Sequence, residues 1–240
     1  MRAAYDAIYR ELKEAILEGE YPYQSMLPSE AVLVERYRCA HNTVRRALGM
    51  LAAQGMVQPI HGKGVRVIWM SHERATFEVG GIETFAEIAA RNNFHAVTRT
   101  IVFEEIEVDE EFVEASGFAK GMKLLHLLRV RELDGRALIL DKNYFRADAV
   151  KGLTREQSQQ SIYAYVEDKL GNKIATSNRL VTAERATRED RRLLDIADVD
   201  FLAVVTSQTF DGNGEPFEYT QSRHHPDFFA FRDIATRNTI

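Results

Sequence analysis

The chain has 240 residues, 45% of them hydrophobic, and a formal net charge of -5, enough material for one large core or two modest ones. No stretch approaches the ~18 consecutive apolar residues of a membrane span, and the opening segment is amphipathic rather than a charged region followed by an apolar run, so the expectation is an unexported, cytoplasmic protein with no membrane partner. Cys39 is the one cysteine, which excludes an internal disulfide, a cysteine-rich zinc site and a thiol redox pair.

Tyr5, Ile8, Leu12 and Ile16 recur at helical spacing and Gly19 follows them, so residues 4–18 read as a helix with a left-handed stop. Pro22 and Pro28 bracket a connection. Ser29 is placed to cap a second, short helix that turns Leu33, Val34 and Tyr37 inward. A third helix from His41 to Gln54 puts Val44, Ala47, Leu48 and Leu51 on one stripe and stops at Gly55. Met56–Ile60 and Val65–Trp69 then read as strands around His61-Gly62-Lys63-Gly64, where glycine permits the positive φ of a tight hairpin. Three helices and a basic-tipped hairpin make a winged helix-turn-helix over residues 1–69.

Residues 70–79 lack periodicity and read as a linker, which leaves 80–240 as a second domain. There the expected order is helix Phe85–Ala90, strand Thr98–Val108, helix Glu110–Ala119, and a hairpin of Leu124–Leu133 with Ala137–Tyr144 around Asp134-Gly135. Helix Ser161–Leu170, strand Asn178–Arg185, short helix Arg188–Leu194 and a hairpin of Phe201–Phe210 with Phe217–Arg223 complete it. The fold class is α+β, with an antiparallel sheet in the second domain.

Charge is segregated along the chain. Residues 1–68 hold nine Lys/Arg and seven Asp/Glu, a balance of +2, which leaves -7 for the remainder. Between Glu35 and Glu73 there is no acidic residue, while Arg36, Arg38, Arg45, Arg46, Lys63 and Arg66 all fall there. Such a segment either neutralises DNA phosphates, releasing counterions, or is a solvated basic face. With Val44, Ala47, Leu48 and Leu51 turned to the core, Thr43 and Arg46 stand one turn apart on another side of the third helix, flanked by His41, Asn42 and Arg45. Arginine pairs bidentately with guanine, Thr and Asn suit phosphate or adenine edges, and His61, Gly62 and Lys63 at the wing reach a neighbouring groove.

In the second domain Arg129 and Arg131 occupy alternate positions of one strand and therefore share a face. Burying two guanidiniums is costly unless anions pair them, so either a ligand phosphate or structural carboxylates must meet them. Ser161 and Tyr163, at a helix start, offer hydroxyl and amide donors to the same anion. Asp141 and Glu218 either accept from sugar hydroxyls or form salt bridges to those arginines. Nothing points to catalysis: there is no Gly-x-Ser-x-Gly elbow and no His-Glu-x-x-His helix, and His224 and His225, adjacent on a strand, point to opposite faces and cannot share a metal. No cofactor is implied.

The segments LPSEAVLVERY and NTVRRALGMLAAQGMVQPIHGKG resemble the GntR family of bacterial regulators, which carries a Pro-Ser-Glu helix start, a Thr-Val-Arg recognition helix and a Gly-x-Gly wing in this order. Ala31, Ala40 and His41 depart from the family's usual Arg, Ser and Arg, implying altered base contacts and a missing helix cap. LLRVREL, ILDKNYF, SIYAYVEDKLG and FEYTQSRHH resemble the UTRA effector domain of its HutC-type branch, a chorismate lyase-like fold. The resemblance implies a phosphate cradle of Arg129, Arg131, Ser161 and Tyr163, sugar-contacting acids Asp141 and Glu218, and further effector contacts from Thr84, Phe85 and His224. Within the branch the likeness is to trehalose-operon repressors. That implies a homodimer on near-palindromic operator DNA, released by trehalose-6-phosphate or trehalose.

Overall fold

A computed structural model describes residues 4–70, 76–78, 85 and 94–232. The chain divides into two compact units, one built on residues 1–73 and the other on 74–232.

The first unit packs α1 (Ala4–Leu17), α2 (Glu30–Tyr37) and α3 (His41–Ala53) against an antiparallel hairpin of β1 (Val57–Ile60) and β2 (Gly64–Val67). Its core draws Ile8, Leu12 and Ile16 from α1, Leu33 from α2, the stripe Val44, Ala47, Leu48 and Leu51 from α3, and Met56, Val57 and Val67 from the hairpin. Burying each aliphatic side chain stabilises by about 1.5–3 kcal/mol, and this common interior fixes which face α3 turns outward. Ser29 caps α2, its hydroxyl accepting from the Val32 amide at 3.4 Å, and Arg38 ends it in the left-handed conformation at φ 46°. Only Cys39 and Ala40 then separate α2 from α3, and Ala40 supplies no side-chain cap. Gly64, at φ 110°, leaves the wing turn beside Met26, whose Cε would lie 3.2 Å from an added Cβ.

The second unit begins with β3 (Thr76–Glu78), which pairs in parallel with the last strand, β10 (Ala230–Arg232). Thr76–Glu78 thus runs as a strand inside the stretch that composition assigns to a linker, a long-range pairing too short to leave a periodic signature. The main sheet has six antiparallel strands: β4 (Ala96–Glu107), β5 (Lys123–Leu133), β6 (Arg136–Arg146), β9 (Pro216–His224), β8 (Phe201–Asp211) and β7 (Ile174–Arg185), in that spatial order. The β5–β6 turn is the expected Asp-Gly hairpin, with φ 50° at Asp134 and 79° at Gly135.

Both faces of the sheet are covered over β5 and β6. On one, Leu125, Leu127 and Phe145 meet Ile162 and Val166 of α5, whose α-helical start Ile162–Ala164 continues as a π-helical turn, Tyr165–Lys169. On the other, Leu128, Val130, Leu140, Leu202 and Val204 meet Leu194 and Ile196 beyond α6 (Arg188–Leu193), while Phe118, following α4 (Glu110–Ser116), packs on Leu124. Burial on both sides explains the near-continuous apolar run of β5. Arg129 and Arg131 interrupt it on the first face. The continuous α-helix expected over Ser161–Leu170 is corrected to three α-helical residues and a wider turn, which closes with the Asn172 amide donating to the Val166 carbonyl at 3.2 Å. The helix expected over Phe85–Ala90 lies outside the described residues apart from Phe85, which is helical.

Candidate functional site

On α3 the buried stripe leaves His41, Asn42, Arg45 and Arg46 exposed, with Thr43 half-buried. His41, Asn42, Arg45 and Arg46 thus face outward, and Thr43 sits at the margin of the core beside them. Neither arginine hangs loose. Arg45 Nε lies 2.8 Å from Glu30 Oε2 at the start of α2, and the Arg46 guanidinium stacks 3.9 Å over the Tyr5 ring of α1. Exposed contacts of this kind add little stability but restrict the directions a long side chain samples. His61, Gly62 and Lys63 are exposed at the hairpin tip, where the Lys63 amide donates to the Ile60 carbonyl at 3.0 Å.

In the second unit the strand register assembles a buried polar cluster. Arg129 lies opposite Thr100 on β4 and Asp141 on β6, Asp141 lies opposite Ser222 on β9, and Arg131 lies opposite Thr98. Register partners share a face of the sheet. Asp141 Oδ2 accepts from Arg131 Nε and stands 4.0 Å from Arg129 Nη2, while Oδ1 accepts from the Ser222 hydroxyl at 2.6 Å. Arg129 donates through Nε to Asn143 Oδ1 at 2.9 Å and through Nη1 to the Ser158 carbonyl at 3.2 Å. Arg131 donates through Nη1 to Thr98 at 3.4 Å, and its guanidinium stacks 4.5 Å from the Phe85 ring. The Nη2 groups of both arginines make no hydrogen bond with the described residues. Two donors therefore remain for an oxyanion.

The electrostatics follow from this packing. Burial, with Arg131 close by, pulls Arg129 down to about 10 against the opposing pull of Asp141 and Glu218. Burial alone would raise Asp141, but the guanidiniums of Arg131 and Arg129 and the Ser222 hydroxyl outweigh it and hold the carboxyl below its ordinary range. His224 is buried at the end of β9 and is pushed by desolvation down to about 4, so it is neutral at pH 7.

Glu218 occupies a separate place. It lies opposite Phe145, four residues along β6 from Asp141, which is about 13 Å. Asn143 Nδ2 donates to its Oε1 at 2.9 Å, the Thr220 hydroxyl donates to the same oxygen, and the Tyr163 hydroxyl donates to Oε2 at 2.6 Å. Burial and the neighbouring carboxylate raise the Tyr163 phenol well above its ordinary value. Of the two readings open for the acids, Asp141 does bridge the arginines, whereas Glu218 does not. Ser161 accepts from the Ala164 amide at 3.2 Å as the cap of α5; no hydrogen bond ties it to the arginine cluster among the described residues. Thr84 lies outside the described residues. His225, past the end of β9, accepts from the Asp227 amide at 3.2 Å.

Sequence reasoning missed Thr98, Thr100, Asn143, Ser158, Thr220 and Ser222. Thr98 and Thr100 on β4 and Thr220 and Ser222 on β9 stand at i and i+2, as Asn143 does with Asp141 on β6, and that polar alternation was the available signal. Among the described residues no group of three His, Cys, Asp or Glu side chains could hold a metal ion, and no helix is long and apolar enough to cross a membrane.

The UTRA domain family model matches residues 91–230, and that of the bacterial regulatory proteins, gntR family, matches residues 4–67. The HTH-type transcriptional regulator TreR of Bacillus subtilis is 37% identical over 232 residues, covering 96% of each chain. The chain belongs to the GntR family of bacterial regulatory proteins. As in other GntR regulators with a UTRA domain, an N-terminal helix-turn-helix region precedes a sheet domain. The mannosyl-D-glycerate transport/metabolism system repressor MngR of Escherichia coli is 24% identical over 98% of this chain and 97% of its own. Among solved structures, YydK of Bacillus subtilis shares the fold over 98% of this chain and all of its own, with a TM-score of 0.82 at 20% identity. The effector binding domain of the Bacillus subtilis trehalose repressor is 35% identical, covers 60% of this chain and 99% of its own, and gives a TM-score of 0.54.

Proposed function

We propose that this GntR regulator is a transcriptional repressor of a trehalose-utilisation operon, binding near-palindromic operator DNA as a homodimer and released by trehalose-6-phosphate. The observation that carries the effector half is the Arg129–Asp141–Arg131 cluster, whose two Nη2 groups make no hydrogen bond with the described residues, in a chain that resembles TreR end to end. A phosphate docks on those donors, and the hydroxyl-rich surroundings of Glu218 and Asn143 accept and donate to sugar hydroxyls. The DNA half is supported by the acid-free stretch from Arg36 to Arg66 and by the Asn42–Arg45–Arg46 face of α3, which suits the major groove. Effector binding in the sensor unit biases the spacing or orientation of the two heads in a dimer, and the operator is released.

One observation favours a second effector. The formal charges of Arg129, Arg131, Asp141 and Glu218 cancel, so a phosphate dianion would leave the site net negative and an uncharged trehalose would not. Calorimetric titration of the full chain with trehalose-6-phosphate, trehalose and glucosamine-6-phosphate separates the cases. Binding of trehalose-6-phosphate ahead of the other two supports the first assignment, and trehalose alone supports the second. Binding of neither disaccharide removes both.

A further inference from the structure

Arg179 on β7 is a cation that the site described above does not use. On the face that carries the arginine cluster, the register runs Asn143, Thr220, Ser207 and Arg179 across β6, β9, β8 and β7, so these side chains project from one side of the sheet. The neighbouring row runs Glu218, Thr209 and Ser177, with Ser177 Oγ 3.0 Å from Thr209 Oγ1. Burial falls off along this path. Asn143 and Thr220 are buried, Ser207 is half-buried and Arg179 is exposed. Arg179 makes no ion pair with the described residues, yet its charge acts on the buried Tyr163 phenol, which ties it to the Glu218 network. The side chains between the two ends on β8 are small: Ala203, Val205 and Ser207.

At about 4.8 Å between neighbouring strands, β7 stands roughly 19 Å from β5. A single phosphate cannot engage Arg131 and Arg179 together. A ligand anchored by its phosphate at the closed end meets Arg179 only if it is longer than one sugar ring. Arg179 also adds one positive charge to a face whose central groups cancel. We propose that the effector site has a second, open compartment over β9, β8 and β7, bounded by Arg179 and floored by Ser207, which takes the distal ring of a two-ring sugar phosphate. This rests on the reading of Arg129 and Arg131 as the phosphate end.

The test is calorimetric titration of the full chain with trehalose-6-phosphate and with glucose-6-phosphate, for the wild type, Arg179→Ala and Ser207→Leu. The wild type should prefer the two-ring ligand. Arg179→Ala should lose roughly ten- to a hundredfold in affinity for it, the worth of a hydrogen bond to a charged group, with glucose-6-phosphate affinity unchanged. Ser207→Leu should exclude the distal ring and leave the one-ring ligand alone. If both variants bind trehalose-6-phosphate as the wild type does, the second compartment is overturned while the phosphate end stands. If the wild type binds neither phosphate, the compartment falls together with the reading it rests on.

Discussion

Replacing Asp141 by Asn keeps the size of the side chain and removes the negative charge between the buried Arg129 guanidinium and the half-buried Arg131 guanidinium. Asp141 Oδ2 accepts from Arg131 Nε and lies 4.0 Å from Arg129 Nη2, and the Arg129 and Asp141 side chains are each 5% exposed. Solvent therefore screens the pair weakly. Two unit charges at 4 Å interact by about 4 kcal/mol at an effective dielectric constant of 20, and removing one partner of a buried pair costs about 3–5 kcal/mol. In the amide the oxygen still accepts from Arg131 and the NH2 can donate to the Ser222 hydroxyl, so the lower figure applies. Urea unfolding of the sensor unit in Asp141→Asn should show a loss of about 3 kcal/mol at pH 7, as a lower midpoint with an unchanged slope. Inorganic phosphate should then stabilise the variant more than the wild type, because an anion restores the missing charge. The pH dependence has a fixed sign. Asp141 is held below its ordinary 3.8, so its contribution is present above that pH and is lost as the pH falls through the lower folded value. A variant within 1 kcal/mol of the wild type, or one that phosphate stabilises no more than the wild type, would refute the account of this cluster.

Ala40→Ser should give α3 the cap it lacks, raising the stability of the head by about 1 kcal/mol and its thermal midpoint by roughly 4–8 °C in calorimetry of the full chain; an unchanged midpoint would show that the helix start is satisfied in another way. Arg46→Ala should weaken binding to operator DNA by about 1–3 kcal/mol in fluorescence anisotropy and leave effector affinity as it was. Equal losses in both assays would remove Arg46 from the reading face. His224, neutral when folded with its value near 4 against an ordinary 6.5, contributes stability that is present above pH 6.5 and lost towards pH 4, worth roughly 3 kcal/mol across that interval. His224→Gln should flatten this part of the pH profile in urea titrations at pH 7 and 4.5. A parallel profile would contradict the desolvated histidine.

The head was legible because every local signal agrees with the packing. The stripe of Val44, Ala47, Leu48 and Leu51 fixes the outward face of α3, Ser29 caps α2, and Gly62 and Gly64 leave little choice for the wing. What escaped was long-range. Periodicity shows that Arg129 and Arg131 share a face, but only the pairing of β5 with β6 and of β6 with β9 tells which carboxylate meets them. On sequence alone Asp141 and Glu218 are equivalent; the register puts the first between the guanidiniums and the second beside Tyr163. Arg179 falls within a strand that was anticipated, yet a lone arginine on an exposed strand reads as a solvated charge until its row through Ser207 to Asn143 is known. The π-helical turn of α5 and the three-residue pairing of β3 with β10 are products of tertiary packing and carry no pattern of their own.

The central claim is that the arginine cluster couples effector binding to release of DNA. The direct measurement is fluorescence anisotropy of a labelled operator duplex, bound by the full chain and titrated with trehalose-6-phosphate. The wild type should leave the duplex as the effector is added, while Arg129→Ala combined with Arg131→Ala should bind the duplex equally well and stay bound. Retention of the wild type at saturating effector, or release of the double variant at the same concentrations, would contradict the account.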